Sequence, residues 1–138
     1  MKHKTWALLV LSLLLPSIAM AEVVVIGSKS MPDLSKSQVK NLFLGKLGNV
    51  DGVGKVSILY LDASDPARKV FNKKILRKKE KQLKSYWTKM MFTGEGETPE
   101  SVGGSSDMVS MVGGASNVIG YTDSSAVNDS VKILYKVN

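Results

Sequence analysis

A run of four apolar residues, Val23-Val24-Val25-Ile26, ends abruptly in Gly27-Ser28. A strand with one wet face alternates apolar and polar residues; an unbroken run marks a strand buried on both faces, as in parallel sheets covered by helices. Val56 to Leu61 reads as a second such strand. Val118-Ile119-Gly120-Tyr121 reads as a third, short one. Val131 to Val137 has apolar residues at every second position and fits a strand with one face partly wet.

Helical signals lie between these strands. Ser35 with Gln38 three residues on makes a capping box, Leu34 with Val39 makes a hydrophobic staple, and Gly45 offers a left-handed stop. Asp65 is the expected cap of a second helix, with Pro66 at its first position, where the missing N–H would be unpaired anyway. That helix turns Val70, Phe71, Ile75 and Leu76 inward. A third, from about Glu80 to Phe92, presents Leu83, Trp87, Met90 and Met91 as one stripe, and Thr93-Gly94 ends it. Gly103-Gly104-Ser105-Ser106 opens a fourth, with Met108, Val109, Met111 and Val112 available to the core. Asn49 to Lys55 reads as a loop. Strands alternating with helices predict an α/β fold, a single three-layer α/β/α sandwich around a mainly parallel sheet.

Residues 1–21 read as address rather than structure. Lys2, His3 and Lys4 form a basic start, Trp6 to Leu15 an apolar stretch, and Ala19-Met20-Ala21 a site for a signal peptidase. A spanning helix wants ~20 apolar residues, and Pro16 and Ser17 break this one early. The expectation is a signal peptide over 1–21, one domain over 22–138 with no integral membrane segment after cleavage, and a periplasmic address.

The chain has no cysteine, and its one histidine lies in the expected signal peptide. Neither a Ser-His-Asp triad, a Cys-His pair nor an imidazole or thiolate metal site can then be built from residues 22–138. The expectation is a non-enzymatic protein with no catalytic residues, no metal and no cofactor. The net charge of +7 favours anionic ligands or acidic partners. The cations between Lys73 and Lys84, opposed only by Glu80, read first as a solvated helix face. Nucleic acid is not expected, because no reader motif or aromatic-interleaved basic surface is present.

Several short motifs share one order along the chain. "NLFLGK" closes the first helix, a strand and short turn lead into Arg68 and Phe71, Tyr86-Trp87 and Phe92-Thr93-Gly94 follow, and "NVIGYT" comes last. This series resembles the phosphate-binding-protein-like family of periplasmic solute receptors. The resemblance implies one lobe of a receptor whose two lobes clasp an anion between them, and a phosphate or related oxyanion as ligand. It also implies a membrane transporter or sensor protein as partner.

The family commonly cradles its anion with Ser-Gly-Thr at a helix start. If Phe71 sets the register, Asp65-Pro66-Ala67 stands in that place; if Ser64 does, Ser64-Asp65-Pro66 does. Either way a carboxylate has arrived and a hydroxyl is lost. The candidate anion-binding residues are Ser28, Lys29 and Ser30, then Ser64, Asp65 and Arg68, then Ser105 and Ser106. In an open α/β sheet, loops like these gather at one rim. The alternative is a protein-interaction module that keeps the fold and has lost most anion chemistry.

Overall fold

The computed structural model describes residues 22–138, so the expected signal peptide lies outside the described residues. Strand β1 (Val23–Gly27) is buried along its whole length, as its unbroken apolar run requires. Helix α1 (Lys36–Phe43) starts on the expected capping box: Ser35 Oγ accepts from Gln38 N at 3.1 Å, and Gln38 Oε1 accepts from Ser35 N at 2.8 Å. The expected loop after it contains a small hairpin, β2 (Asn49–Val50) with β3 (Gly54–Lys55). Two-residue strands carry no periodicity to read.

Strand β4 (Ser57–Leu61) runs into helix α2 (Pro66–Phe71), whose cap is Asp65 and whose first residue is Pro66. The helix then loosens into a π-helical turn, Asn72–Leu76, which ends at Arg77 in the left-handed region. Helix α3 (Glu80–Phe92) has the expected bounds. A three-residue strand, β5 (Glu100–Val102), precedes helix α4 (Ser105–Gly113), strand β6 (Val118–Asp123), a 3-10 turn and strand β7 (Lys132–Val137).

The five main strands are ordered β5-β4-β6-β1-β7. β4 pairs parallel with β5 and β6, whereas β1 pairs antiparallel with β6 and β7. The sheet is mainly parallel, four strands pointing one way, but β1 is the reversed one. A strand buried on both faces need not be parallel; it needs only a layer on each side, and it has both. Tyr121 stacks on Phe71 and tilts against Phe43 on the face of α1 and α2. The next position, Gly120, turns to the opposite face and lies under Met108 and Val112 of α4.

That close approach is why position 120 is glycine. A Cβ there would meet Met108 Sδ at 2.4 Å. We expect Gly120→Ala to cost about 1–2 kcal/mol in urea titrations, because the flexible methionine can yield only in part. A stability equal to the parent's would show that α4 does not seat on β6 this closely.

The core holds the expected Val39, Leu42, Phe43, Phe71, Ile75, Leu76, Leu83 and Trp87. Two methionines depart from expectation. Met91 is 56% exposed and Met111 42% exposed. Counted from Leu83 at 100° per residue, Met91 lies about 80° off the inward direction. Among the described residues, no helix is long and apolar enough to cross a membrane.

Candidate functional site

The carboxyl ends of β4, β5 and β6 form one rim. Asp62 N, just after β4, donates to Val102 O at the end of β5 at 2.9 Å, which holds the two following loops side by side. Ser105 Oγ, in the first turn of α4, accepts from Asp123 N at the end of β6 at 3.2 Å. Ser64, Asp65, Ser105 and Ser106 therefore belong to one end of the sheet.

Ser28, Lys29 and Ser30 do not. Because β1 is reversed, its carboxyl end lies where β4 and β6 begin. Ser28 Oγ donates to Ser116 O at 3.3 Å, and the next carbonyl, Asn117 O, accepts from Ser57 N at the start of β4. The expectation of a single rim for all three loops is corrected: two loops meet, and the third lies at the opposite end.

At the shared rim, Asp65 Oδ1 accepts from Ala67 N at 2.9 Å, so this carboxylate caps its own helix. Ser64 Oγ donates to Asp62 Oδ2 at 3.3 Å. α4 starts on Gly104, in extended backbone, and has no side-chain cap. Its first-turn N–H groups lie at the rim beside the Ser105 and Ser106 hydroxyls. The rim also carries four carboxylates, Asp62, Asp65, Asp107 and Asp123. It therefore offers both acceptors and donors.

Arg68 is committed elsewhere. Its Nε and Nη2 donate to Glu80 Oε1 and Oε2, each at 2.7 Å, and Nη1 donates to Leu61 O at 2.9 Å and more loosely to Ser101 Oγ at 3.4 Å. Its guanidinium also lies 5.3 Å from the Tyr60 ring centre. The bidentate fork that a free oxyanion would use is filled by a carboxylate. Burial alone would lower the Arg68 pKa, but the hydrogen bonds and charge of Glu80 reverse that and raise it. Hydrogen bonding from Arg68 pulls Glu80 below its ordinary value, against the opposing effect of burial. Asn72 Nδ2 adds a third donor to Glu80 at 3.0 Å.

Glu80 is the functional neighbour that sequence reasoning missed. Its one signal is its standing alone among the cations from Lys73 to Lys84. The Arg68–Glu80 pair forms part of the wall of a groove of about 890 Å³ between the π-helical turn and the start of α3, lined also by Lys69, Lys73, Arg77 and Lys78. Among the described residues, no cluster of His, Cys, Asp and Glu could hold a metal ion.

No family model matches the chain, and no curated protein matches it. Solved structures do. A putative phosphate ABC transporter substrate-binding protein with bound phosphate from Clostridium perfringens aligns with a TM-score of 0.65 at 23% identity, over 82% of this chain and 44% of its own. An ABC-type phosphate transport receptor from Vibrio cholerae aligns with a TM-score of 0.62 at 18% identity, over 82% and 45%. PstS from Borrelia burgdorferi gives 0.60 at 12%, over 82% and 46%. The chain spans less than half the length of each. It carries a partial, single-lobe form of the fold of phosphate ABC transporter substrate-binding proteins.

Proposed function

We propose that this is an exported, non-enzymatic solute-binding-like lobe that takes a protonated phosphate-class oxyanion at the rim of β4, β5 and β6. Another protein of a transport or sensing system would supply the second wall. The reading is carried by the mixture of groups at that rim. The uncapped start of α4 and the serine hydroxyls can donate to P–O⁻, while a neighbouring carboxylate, Asp62 or Asp65, can accept from P–OH. A fully deprotonated anion of similar shape would meet only repulsion from those carboxylates. Alone, the rim is open to water, and its affinity is weak.

Titration calorimetry tests this directly. Phosphate at millimolar concentration should give saturable heat and sulfate none. At a concentration ten times Kd, the stabilisation is about 1.4 kcal/mol, enough to raise Tm by a few degrees. Ser106→Ala should weaken phosphate about tenfold, the value of one hydrogen bond to a charged group. Flat titrations and unmoved Tm values with millimolar phosphate reject the reading.

A second reading draws on one observation, the saturation of Arg68 by Glu80, Leu61 and Ser101. A lobe that has turned its cation to structural use can keep the fold as a protein-contact surface. That reading predicts indifference to both anions.

A further inference from the structure

We propose that the groove between the π-helical turn and α3, which adjoins the rim at Ala63, is a second anion site and that its ligand is a linear polyphosphate chain. The groove gathers Lys69, Lys73, Arg77, Lys78 and Lys79 around one concavity of about 890 Å³. None of these five forms an ion pair with a carboxylate among the described residues. The one carboxylate in the lining, Glu80, is already neutralised by Arg68 at 2.7 Å. Five like charges around one hollow repel each other, and a ligand that spans them relieves more of that repulsion than one that touches a single cation.

The backbone at the lip of the groove is the second observation. The helix carrying Asn72 and Lys73 is wound as a π turn, a form found mostly as short interruptions and often at functional sites. It ends at Arg77 with φ 57, the one non-glycine residue in the left-handed region among the described residues. Glycine adopts that conformation freely, and an L side chain does so only against a steric penalty. Here the strained position carries a cation into the groove lining. Strain of this kind concentrates at ligand clamps.

The lining selects among anions. A single tetrahedral oxyanion wants donors converging on one centre, but the lining has no hydroxyl residue and the fork of Arg68 is filled. What remains is mostly lysine, whose stems line much of the hollow and whose ammoniums are hydrated point charges around it, that of Lys78 lying 5.3 Å from the Tyr86 ring centre. That distribution matches a ligand with one charge after another along a flexible chain. Single-stranded nucleic acid would also want stacking platforms, and no aromatic residue lines the groove. A planar bilayer cannot follow a concave surface.

Fluorescence anisotropy with labelled inorganic polyphosphate and the purified protein tests the assignment. Binding should saturate at low salt and weaken with a log–log salt slope of about −3. Orthophosphate at the same phosphoryl concentration should fail to compete. Lys73→Gln/Lys78→Gln should weaken binding about tenfold or more, and Arg77→Gly severalfold with Tm at or above the parent's. Lys81→Gln/Lys84→Gln removes the same charge from α3 outside the groove and should change affinity by less than about twofold.

The proposal is overturned by absence of polyphosphate binding at low salt, or by an equal loss in the Lys81/Lys84 control. Displacement by orthophosphate at matched phosphoryl concentration also overturns it. So does equal or tighter binding of polyglutamate, which would point to an acidic protein, or of phosphatidylglycerol vesicles, which would point to a membrane. Loss of the calorimetric phosphate signal at the rim, with polyphosphate binding intact, would leave this site standing alone.

Discussion

Phe71→Ala is expected to lower folding stability by about 3–5 kcal/mol and Tm by roughly 10–20 °C. The ring is fully buried and lies flat on Tyr121, with centroids 4.0 Å apart and planes 4° from parallel. Its edge meets Phe43 at 4.8 Å. One side chain thus joins α2 to α1 and β6, and its removal leaves a void that three elements cannot close together. Urea unfolding followed by tryptophan fluorescence reads the effect, since Trp87 touches the same aromatic group through Tyr60. A loss under about 1 kcal/mol would mean that the core relaxes around the site far more than close packing allows.

The second large effect comes from Glu80→Gln. Arg68 is 12% exposed in its side chain and Glu80 43% exposed. Taking away the negative partner leaves a nearly buried guanidinium without a counter-charge, at a cost of about 2–3 kcal/mol. That is less than for a wholly buried pair, because solvent reaches Glu80. Arg68→Met/Glu80→Gln should recover part of the loss, since no charge is then stranded.

The pH dependence has a fixed sign. The Glu80 carboxyl titrates lower in the folded chain than its ordinary 4.5. Its contribution is therefore complete above the unfolded value and disappears as pH falls through the lowered folded value. The stability gap between parent and Glu80→Gln should be full at neutral pH and narrow on acidification below about 4.5. A gap that stays constant into acid would mean the pair does not hold this segment.

Much of the fold was legible because its signals are local. The Ser35–Gln38 box, the Asp65-Pro66 start and the Leu83–Trp87 spacing each act within one or two helical turns, and all lie where the sequence places them. The direction of β1 was not legible. Valines buried on both faces look the same whether neighbouring strands run with them or against them, and the fate of Ser28, Lys29 and Ser30 depended on that alone.

The partner of Arg68 was hidden for a related reason. Glu80 is brought back to it by a π turn and a left-handed arginine, neither of which has a reliable local code. β5 escaped notice because only Val102 of its three residues is buried. At the rim, cap and carboxylates were visible in the sequence, but which loops share an edge was a matter of topology.

The place of β1 between β6 and β7 has a consequence for biogenesis. Its two bonding neighbours begin at Val118 and Lys132, near the far end of the chain. While the polypeptide is still emerging from the ribosome, this first strand has nothing to pair with, and premature closure of the sheet is topologically barred. The strand order itself therefore delays the final closure of the sheet until β6 and β7 have both been made.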